Sequence, residues 1–283
     1  MNGDPLLIQP EGTVCYIALG SAGTVFQDGD SQVVKTPLKH NVKGCNQGVI
    51  ETVQHIESIS EMSISREKLI YQTLPKNPNI LDCLATTERG LCFPYHRLGN
   101  LRDYLKINEE VSTSIRDQWI KNAMDAIAFI HAHGVIHADI SPRNFLVAEG
   151  DLSLKLCDFA GSVIGDLKPL VEEEDRYRIS PWSLRTFKTD LFALGCLIYE
   201  ISAGIRPYDE IDDVEEIGRL YAAQVFPALD GLSYRDIIYK CWTSQYASVE
   251  MLRDDYNCWI PCSLEPVGIN ERANEPPRGE VIG

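Results

Sequence analysis

The stretch Val135–Gly161, VIHADISPRNFLVAEGDLSLKLCDFAG, decides how the rest of the chain reads. Asp139 is followed five residues on by Asn144, and fourteen beyond that by Asp158. Between them FLVA and LSLKLC are short apolar runs, separated by the polar turn Glu149-Gly150-Asp151. That spacing predicts strand, hairpin, strand. A hairpin carries the start of its first strand and the end of its second to one edge. Asn144 and Asp158 then meet there, with Asp139 on the loop just before. Two carboxylates and an amide on loops held by a rigid hairpin make a hard-oxygen site of the kind Mg²⁺ prefers. A carboxylate so placed can also take a proton from a hydroxyl. Either short pair occurs by chance in many chains; two pairs on adjacent arms of one hairpin are far more specific.

Composition narrows the class. A chain of 283 residues, 44% hydrophobic and 24% charged, can bury a substantial core as one large domain or two lobes. The formal net charge of −15 argues against a nucleic-acid backbone or an anionic membrane as a general partner. The first residues, MNGDPLLIQPEG, lack the basic and apolar regions of a secretory signal, and Leu191–Ile201 is too short to span a bilayer. Nine scattered cysteines without a C-x-x-C pair point to free thiols in a reducing compartment, and the closest pair, Cys258 and Cys262, has no histidine after it to complete a zinc site. The expectation is a soluble intracellular protein, cytoplasmic or nuclear.

The quoted stretch resembles the catalytic loop and metal-binding segment of the eukaryotic protein kinase superfamily, H-R-D-x-x-x-x-N followed by D-F-G. Here these stand as His137-Ala138-Asp139-Ile140-Ser141-Pro142-Arg143-Asn144 and Asp158-Phe159-Ala160-Gly161. The flanks agree. Residues 13–19, 24–27 and 31–35 are β-rich and punctuated by Gly20-Ser21-Ala22-Gly23 and by the hairpin turn Asp28-Gly29-Asp30. LGSAGTVF is similar to the family's phosphate-covering loop, although Gly20 and Gly23 enclose only two residues. Val33-Val34-Lys35 is similar to V-A-I-K, whose lysine reaches the α- and β-phosphates. A lysine ending a strand is otherwise an edge residue. Residues 63–74, SISREKLIYQTL, have helical spacing at Ile64, Lys68 or Leu69, Tyr71 and Leu74, and Asn77-Pro78-Asn79-Ile80 follows. The resemblance implies that Glu67 pairs with Lys35, with Glu57 and Glu61 as competing candidates.

Leu91–His96 looks like the hinge. The resemblance implies Phe93 behind adenine, with the Pro94 carbonyl and the His96 N–H on the adenine edge; a plain strand describes the same residues without a ligand. Residues 117–134 form an amphipathic helix stopped by Gly134. His131, His133 and His137 suggest a metal cluster only weakly. His137 matches a histidine that packs, and His131 and His133 need no more than a helix-end location. The run Glu172-Glu173-Glu174-Asp175 reads as a solvated turn. Asp190–Gly195 resembles the start of the family's central large-lobe helix, whose aspartate anchors the catalytic loop. The polar tail from about residue 264 reads as disordered.

The resemblance spans roughly residues 13–262 and implies an α+β bilobal fold. Residues 1–12 are an extension, 13–96 a β-rich small lobe, 97–263 a mainly helical large lobe and 264–283 the tail. It implies a protein kinase transferring the ATP γ-phosphate to a Ser/Thr, less so Tyr, hydroxyl of a protein substrate. Asp139 would accept the proton. Asn144 and Asp158 would hold Mg²⁺. Gly20, Ser21, Ala22, Gly23, Val25 and Lys35 would hold ATP, and Glu67 would position Lys35. Several positions depart from the family pattern. Ala138 replaces the arginine that a phosphorylated segment engages. Ser141 replaces a lysine near the transferring phosphate, which Arg143 would replace as in tyrosine kinases. Ala160 replaces a glycine. Ser180-Pro181-Trp182 lacks the usual glutamate, and its late arginine partner is missing too, so no charge is stranded. The combination of DFAGS, DLFALG and KCWTSQY looks like a divergent group of fungal protein kinase-like proteins. The rival readings are a nucleotide-binding pseudokinase scaffold, a small-molecule phosphotransferase of the aminoglycoside type, and a relative of the small atypical kinase of the KEOPS complex. The Asp190–Gly195 segment argues against the second.

Overall fold

The computed structural model describes residues 4–20, 22–108, 110–180 and 183–259. Ser21, the Pro181-Trp182 part of the degenerate segment, Cys262 and the 264–283 tail lie outside the described residues.

Alternating apolar and polar residues build the first layer. Strand β1 (Leu6–Leu7) is followed by β2 (Tyr16–Leu19), β3 (Thr24–Asp28), β4 (Gln32–Thr36) and β5 (His40–Asn41). The long helix α1 (Gln47–Thr73) comes next, then β6 (Ala85–Thr86) and β7 (Leu91–Pro94). Five of these strands form one antiparallel sheet in the order β2-β3-β4-β7-β6, while β1 pairs with β5. On β4 the period of two turns Val33 and Lys35 to one face and Val34 to the other. Val34 packs there with Phe26 and Cys92, whereas Val33 joins Ile64, Leu81, Leu91 and Phe93 beneath the sheet.

Helix α1 is far longer than the predicted 63–74 segment. The Asn46 side chain caps it by accepting from the Val49 N–H at 3.0 Å. Its buried stripe is Val53, Ser60, Ser63, Ile64, Arg66, Glu67 and Ile70, so four of the seven inward positions are polar. A hydrophobic-period reading cannot see such a stripe, and Leu69, one of the predicted apolar positions, faces solvent.

The second layer is helical. It contains α2 (Leu101–Ile107), α3 (Thr113–Ala132), β8 (Val135–Ile136), β9 (Phe145–Val147), β10 (Leu154–Leu156), β11 (Val163–Ile164) and α4 (Phe187–Ala203). After these come α5 (Val214–Ala222), α6 (Arg235–Trp242) and α7 (Val249–Trp259). Helix α3 starts earlier than the predicted 117–134 because Ser112 caps it. Helix α4 is apolar nearly all round and buried along Thr189–Ile201, a core helix rather than a span. Among the described residues no helix is long and apolar enough to cross a membrane.

The predicted hairpin forms as read. Phe145 pairs with Leu156 and Val147 with Leu154, and the Cys157 N–H donates to the Asn144 carbonyl at 2.9 Å. A β-sheet layer beside a helical layer around one large buried cluster is a two-lobed α+β architecture.

Candidate active site

The cleft between the layers has a volume of about 560 Å³. Val25 and Val33 of the sheet and Leu146 of the hairpin supply apolar walls, and Lys35, Glu67, Asp139, Asn144 and Asp158 supply the charged end. At the charged end the structure therefore brings together Lys35 and Asp158, which stand 123 positions apart.

Lys35 sits between two carboxylates. Its Nζ lies 2.7 Å from Glu67 Oε2 and 2.7 Å from Asp158 Oδ1. Burial works against the charge, but Asp158 and Glu67 more than offset it, so the ammonium stands above its ordinary range. Burial also works against the Asp158 carboxylate, and Lys35 outweighs it, holding the group below the usual value. The competing candidates are used elsewhere: Glu57 accepts from the His40 backbone and Glu61 pairs with Lys39. Glu67 also accepts the Phe159 N–H at 3.3 Å. Phe159 is buried against Tyr71 and His137, ring centres 5.3 Å away in each case. Arg66, one position before Glu67, donates to the carbonyls of Ser162 and Lys168 at 2.5 and 2.9 Å. Helix α1 is thereby locked to the segment that follows Asp158.

Asn144 Nδ2 donates to the Asp139 carbonyl at 2.6 Å and to Asp139 Oδ2 at 2.9 Å. With its N–H groups so engaged, its carbonyl oxygen is the atom left for a cation. Asp158 adds a second hard oxygen, and its backbone is left-handed at φ 63°. These donors fit Mg²⁺, which takes one or two protein oxygens and completes its shell with phosphate and water. No cluster of three or more His, Cys, Asp or Glu able to hold a metal occurs among the described residues. Burial lifts the Asp139 carboxyl to about 7, although the Asn144 donation opposes it. Ala138, in the arginine position, is buried with φ 63°, and its N–H donates to Asp190 Oδ1 at 3.0 Å. Ala160 does not carry a positive φ, so replacing glycine there brings no strain. Gly161 does need to be glycine, because a Cβ would lie 1.9 Å from Val171 Cγ2.

The histidines need one correction. His131 does more than end a helix: its Nε2 lies 2.8 Å from Asp190 Oδ2, the oxygen that also accepts the His137 N–H at 2.8 Å. His137 is kept neutral by burial, and its Nε2–H donates to the Cys157 carbonyl at 3.0 Å. The three histidines form no metal cluster.

The acidic run is only in part a solvated turn: Glu172 is exposed, but the next two residues are drawn inward. Glu173 is buried beside Arg185, its Oε2 3.2 Å from Arg185 Nε. Glu174 takes two hydrogen bonds from Arg102 NH1, at 2.9 and 2.7 Å, and lies 3.4 Å from Arg143 NH2. Arg143 is thus paired with a protein carboxylate. Charge patterning reads such a run as exposed because its cationic partners, on α2 and beyond residue 183, are distant in sequence.

The glycine turn roofs the cleft through Gly20, Ala22, Gly23 and Val25. Gly23 is required by close approach, since a Cβ would lie 2.5 Å from the Thr36 carbonyl oxygen. The turn is also fastened to α1: buried Ser60 donates to the Ala22 carbonyl and accepts the Leu38 N–H, both at 2.8 Å. Nothing in the sequence singles out Ser60. Phe93, Pro94 and His96 line the cleft at the end of β7, with Phe93 packed on Tyr71 at 5.3 Å.

Comparison with known proteins agrees with this geometry. Residues 20–248 match the family described as protein kinase domain. A dual specificity protein kinase TTK of Mus musculus is 25% identical over 50% of this chain and 19% of its own length. A probable serine/threonine-protein kinase gdt4 of Dictyostelium discoideum is 27% identical over 80% of this chain and 14% of its own length. Serine/threonine-protein kinase ppk11 of Schizosaccharomyces pombe is 25% identical over 69% of this chain and 62% of its own length. A further relative, from Dictyostelium discoideum and 24% identical over 58% of this chain, is named a probable inactive serine/threonine-protein kinase. The chain thus spans less than a fifth of the first relatives it matches. The family match runs from the glycine turn to the last helix of the large lobe, well over half of the sequence, and the chain belongs to the eukaryotic protein kinase superfamily.

Proposed function

We propose that the chain is an active protein kinase that transfers the γ-phosphoryl group of Mg·ATP to a serine or threonine hydroxyl of a protein. The observation that carries this reading is the assembled charged end of the cleft, in which Lys35 touches both Glu67 and Asp158 while Asn144 holds Asp139.

Lys35 binds the α- and β-phosphates, and Glu67 keeps its ammonium in position. Asn144 and Asp158 are the residues that would hold Mg²⁺, which supplies charge neutralisation on the phosphate oxygens. Asp139 orients the substrate hydroxyl and takes its proton as the oxygen attacks phosphorus. Arg143 offsets charge on the γ-phosphoryl oxygens. Rate then comes from positioning and fixed charges rather than from covalent chemistry. The Ser/Thr preference is supported by the names of several relatives.

A second reading, a nucleotide-binding scaffold, is favoured by one observation: the glycine turn is short, Gly20 and Gly23 enclosing only two residues to cover phosphates. Radiolabel transfer from Mg·ATP to the protein itself and to generic Ser/Thr and Tyr substrates, beside an Asp139→Asn control, separates the two. Transfer lost by at least about a hundredfold in the control supports the kinase reading. No transfer, with ATP still raising Tm, supports the scaffold.

A further inference from the structure

Glu174 lies in the segment between Asp158 and α4, and its carboxylate is the point at which that segment meets two arginines from elsewhere in the large lobe, while Tyr177 joins the same cluster through Arg102 and Glu200. Arg102 comes from α2, Arg143 from the catalytic loop and Tyr177 from three residues further along the segment. All five N–H donors of Arg102 are engaged. NH1 reaches both oxygens of Glu174, Nε and NH2 reach the two oxygens of Glu200 at 3.1 Å each, and NH2 also reaches the Tyr177 hydroxyl at 2.9 Å. The Tyr177 hydroxyl in turn donates to Glu200. Arg143, whose side chain is 54% exposed, has Glu174 as its ion-pair partner. Two guanidinium groups and two carboxylates balance to zero, so Arg102, Glu174 and Glu200 go inside without a stranded charge while Arg143 stays half-exposed.

Phosphate-bearing positions are scarce on this segment. Between Asp158 and α4 the hydroxyls are Ser162, Tyr177, Ser180, Ser183 and Thr186, and none but Ser162 and Tyr177 comes before residue 180. Ser162 is fully buried and donates to the His137 carbonyl at 2.9 Å, and Tyr177 is fully buried in the cluster above. A carboxylate held by an arginine fork has the geometry and charge sign that a phosphate would bring. Glu174, reached through both oxygens by Arg102 NH1 and 3.4 Å from Arg143 NH2, already places such a charge beside the arginine four residues after Asp139.

We propose that Glu174 is a positioning residue: its carboxylate bridges Arg102 and Arg143, fixing the segment on α2 and holding Arg143 in register with Asp139 without any phosphate on the segment. This rests on the role given to Arg143 under Proposed function, so the test carries one arm that needs no catalysis. The first arm is a double-mutant cycle of Glu174→Gln and Arg143→Gln on the full chain, reading kcat and the KM for ATP. Glu174→Gln is expected to lower kcat about tenfold with the ATP KM unchanged, and to have no further effect in the Arg143→Gln background. Additive losses overturn the proposal, and a rise in kcat, which would make Glu174 a brake, overturns it too. The second arm is amide hydrogen exchange over residues 166–180. Exchange there is expected to speed about tenfold or more in Glu174→Gln while α3 stays protected. Unchanged exchange overturns the bridge. Absence of transfer by the wild-type chain defeats only the catalytic reading, and the exchange arm then decides the bridge alone.

Discussion

Lys35 Nζ is equidistant, at 2.7 Å, from Glu67 Oε2 on α1 and Asp158 Oδ1 at the end of the hairpin. A single cation from the sheet therefore joins the long helix to the segment that begins at Asp158. Glu67 is almost fully buried, so the pair is little screened by solvent.

Glu67→Gln keeps the shape and an acceptor for the Phe159 N–H but removes the charge that orients Lys35. The expected result is a fall in kcat/KM of about a hundredfold with a smaller ATP-induced rise in Tm. Steady-state kinetics and a thermal-shift titration check it, and wild-type values in both would remove Glu67 from the site.

Ser60→Ala should loosen the glycine turn. The Ala22 carbonyl and the Leu38 N–H lose their buried partner, which costs about 1–3 kcal/mol of stability. Urea denaturation reads that loss. The freed turn should also raise the ATP KM about threefold to tenfold, through lost preorganisation. An unchanged KM would mean that the tie does not bear on nucleotide binding.

Asp139 must be ionised to accept a proton, and burial lifts its carboxyl to about 7. The kcat/KM for the protein substrate, which reports the free enzyme, should climb with pH and level off above an inflection near that value. A profile flat from pH 5.5 to 8.5 would contradict it.

Glu173 gives a stability test. Burial pushes its carboxyl up to about 8, with Arg185 pulling the other way. A folded value above the unfolded one, near 4.3, means that the stability linked to this proton is fully present below about pH 4.3 and is lost as pH rises through about 8. The difference in unfolding free energy between wild type and Glu173→Gln should therefore move against the wild type by on the order of 2 kcal/mol from pH 5 to 8.5. Paired urea titrations at both pH values measure it, and a pH-independent difference would show Glu173 ionised throughout.

The sequence by itself determined the parts of the fold and site that rest on short-range pattern. The 145–156 hairpin, the β-rich start and the apolar helix that became α4 were legible because period and turn chemistry act within a few residues. Asn144 and Asp158 were legible because the hairpin brings them to one edge, and Asp139 because it lies on the loop just before, five residues from Asn144. Tertiary structure decided what depends on partners distant in the chain. It selected Glu67 over Glu57 and Glu61 by which face of α1 meets Lys35, and it extended that helix along a stripe whose buried members Ser60, Ser63, Arg66 and Glu67 carry no hydrophobic signal. It made His131 a ligand of Asp190 and drew Glu173 and Glu174 inside against Arg185 and Arg102. A charged side chain is buried only where its counter-ion arrives, and that meeting is a property of the packed chain rather than of any one segment.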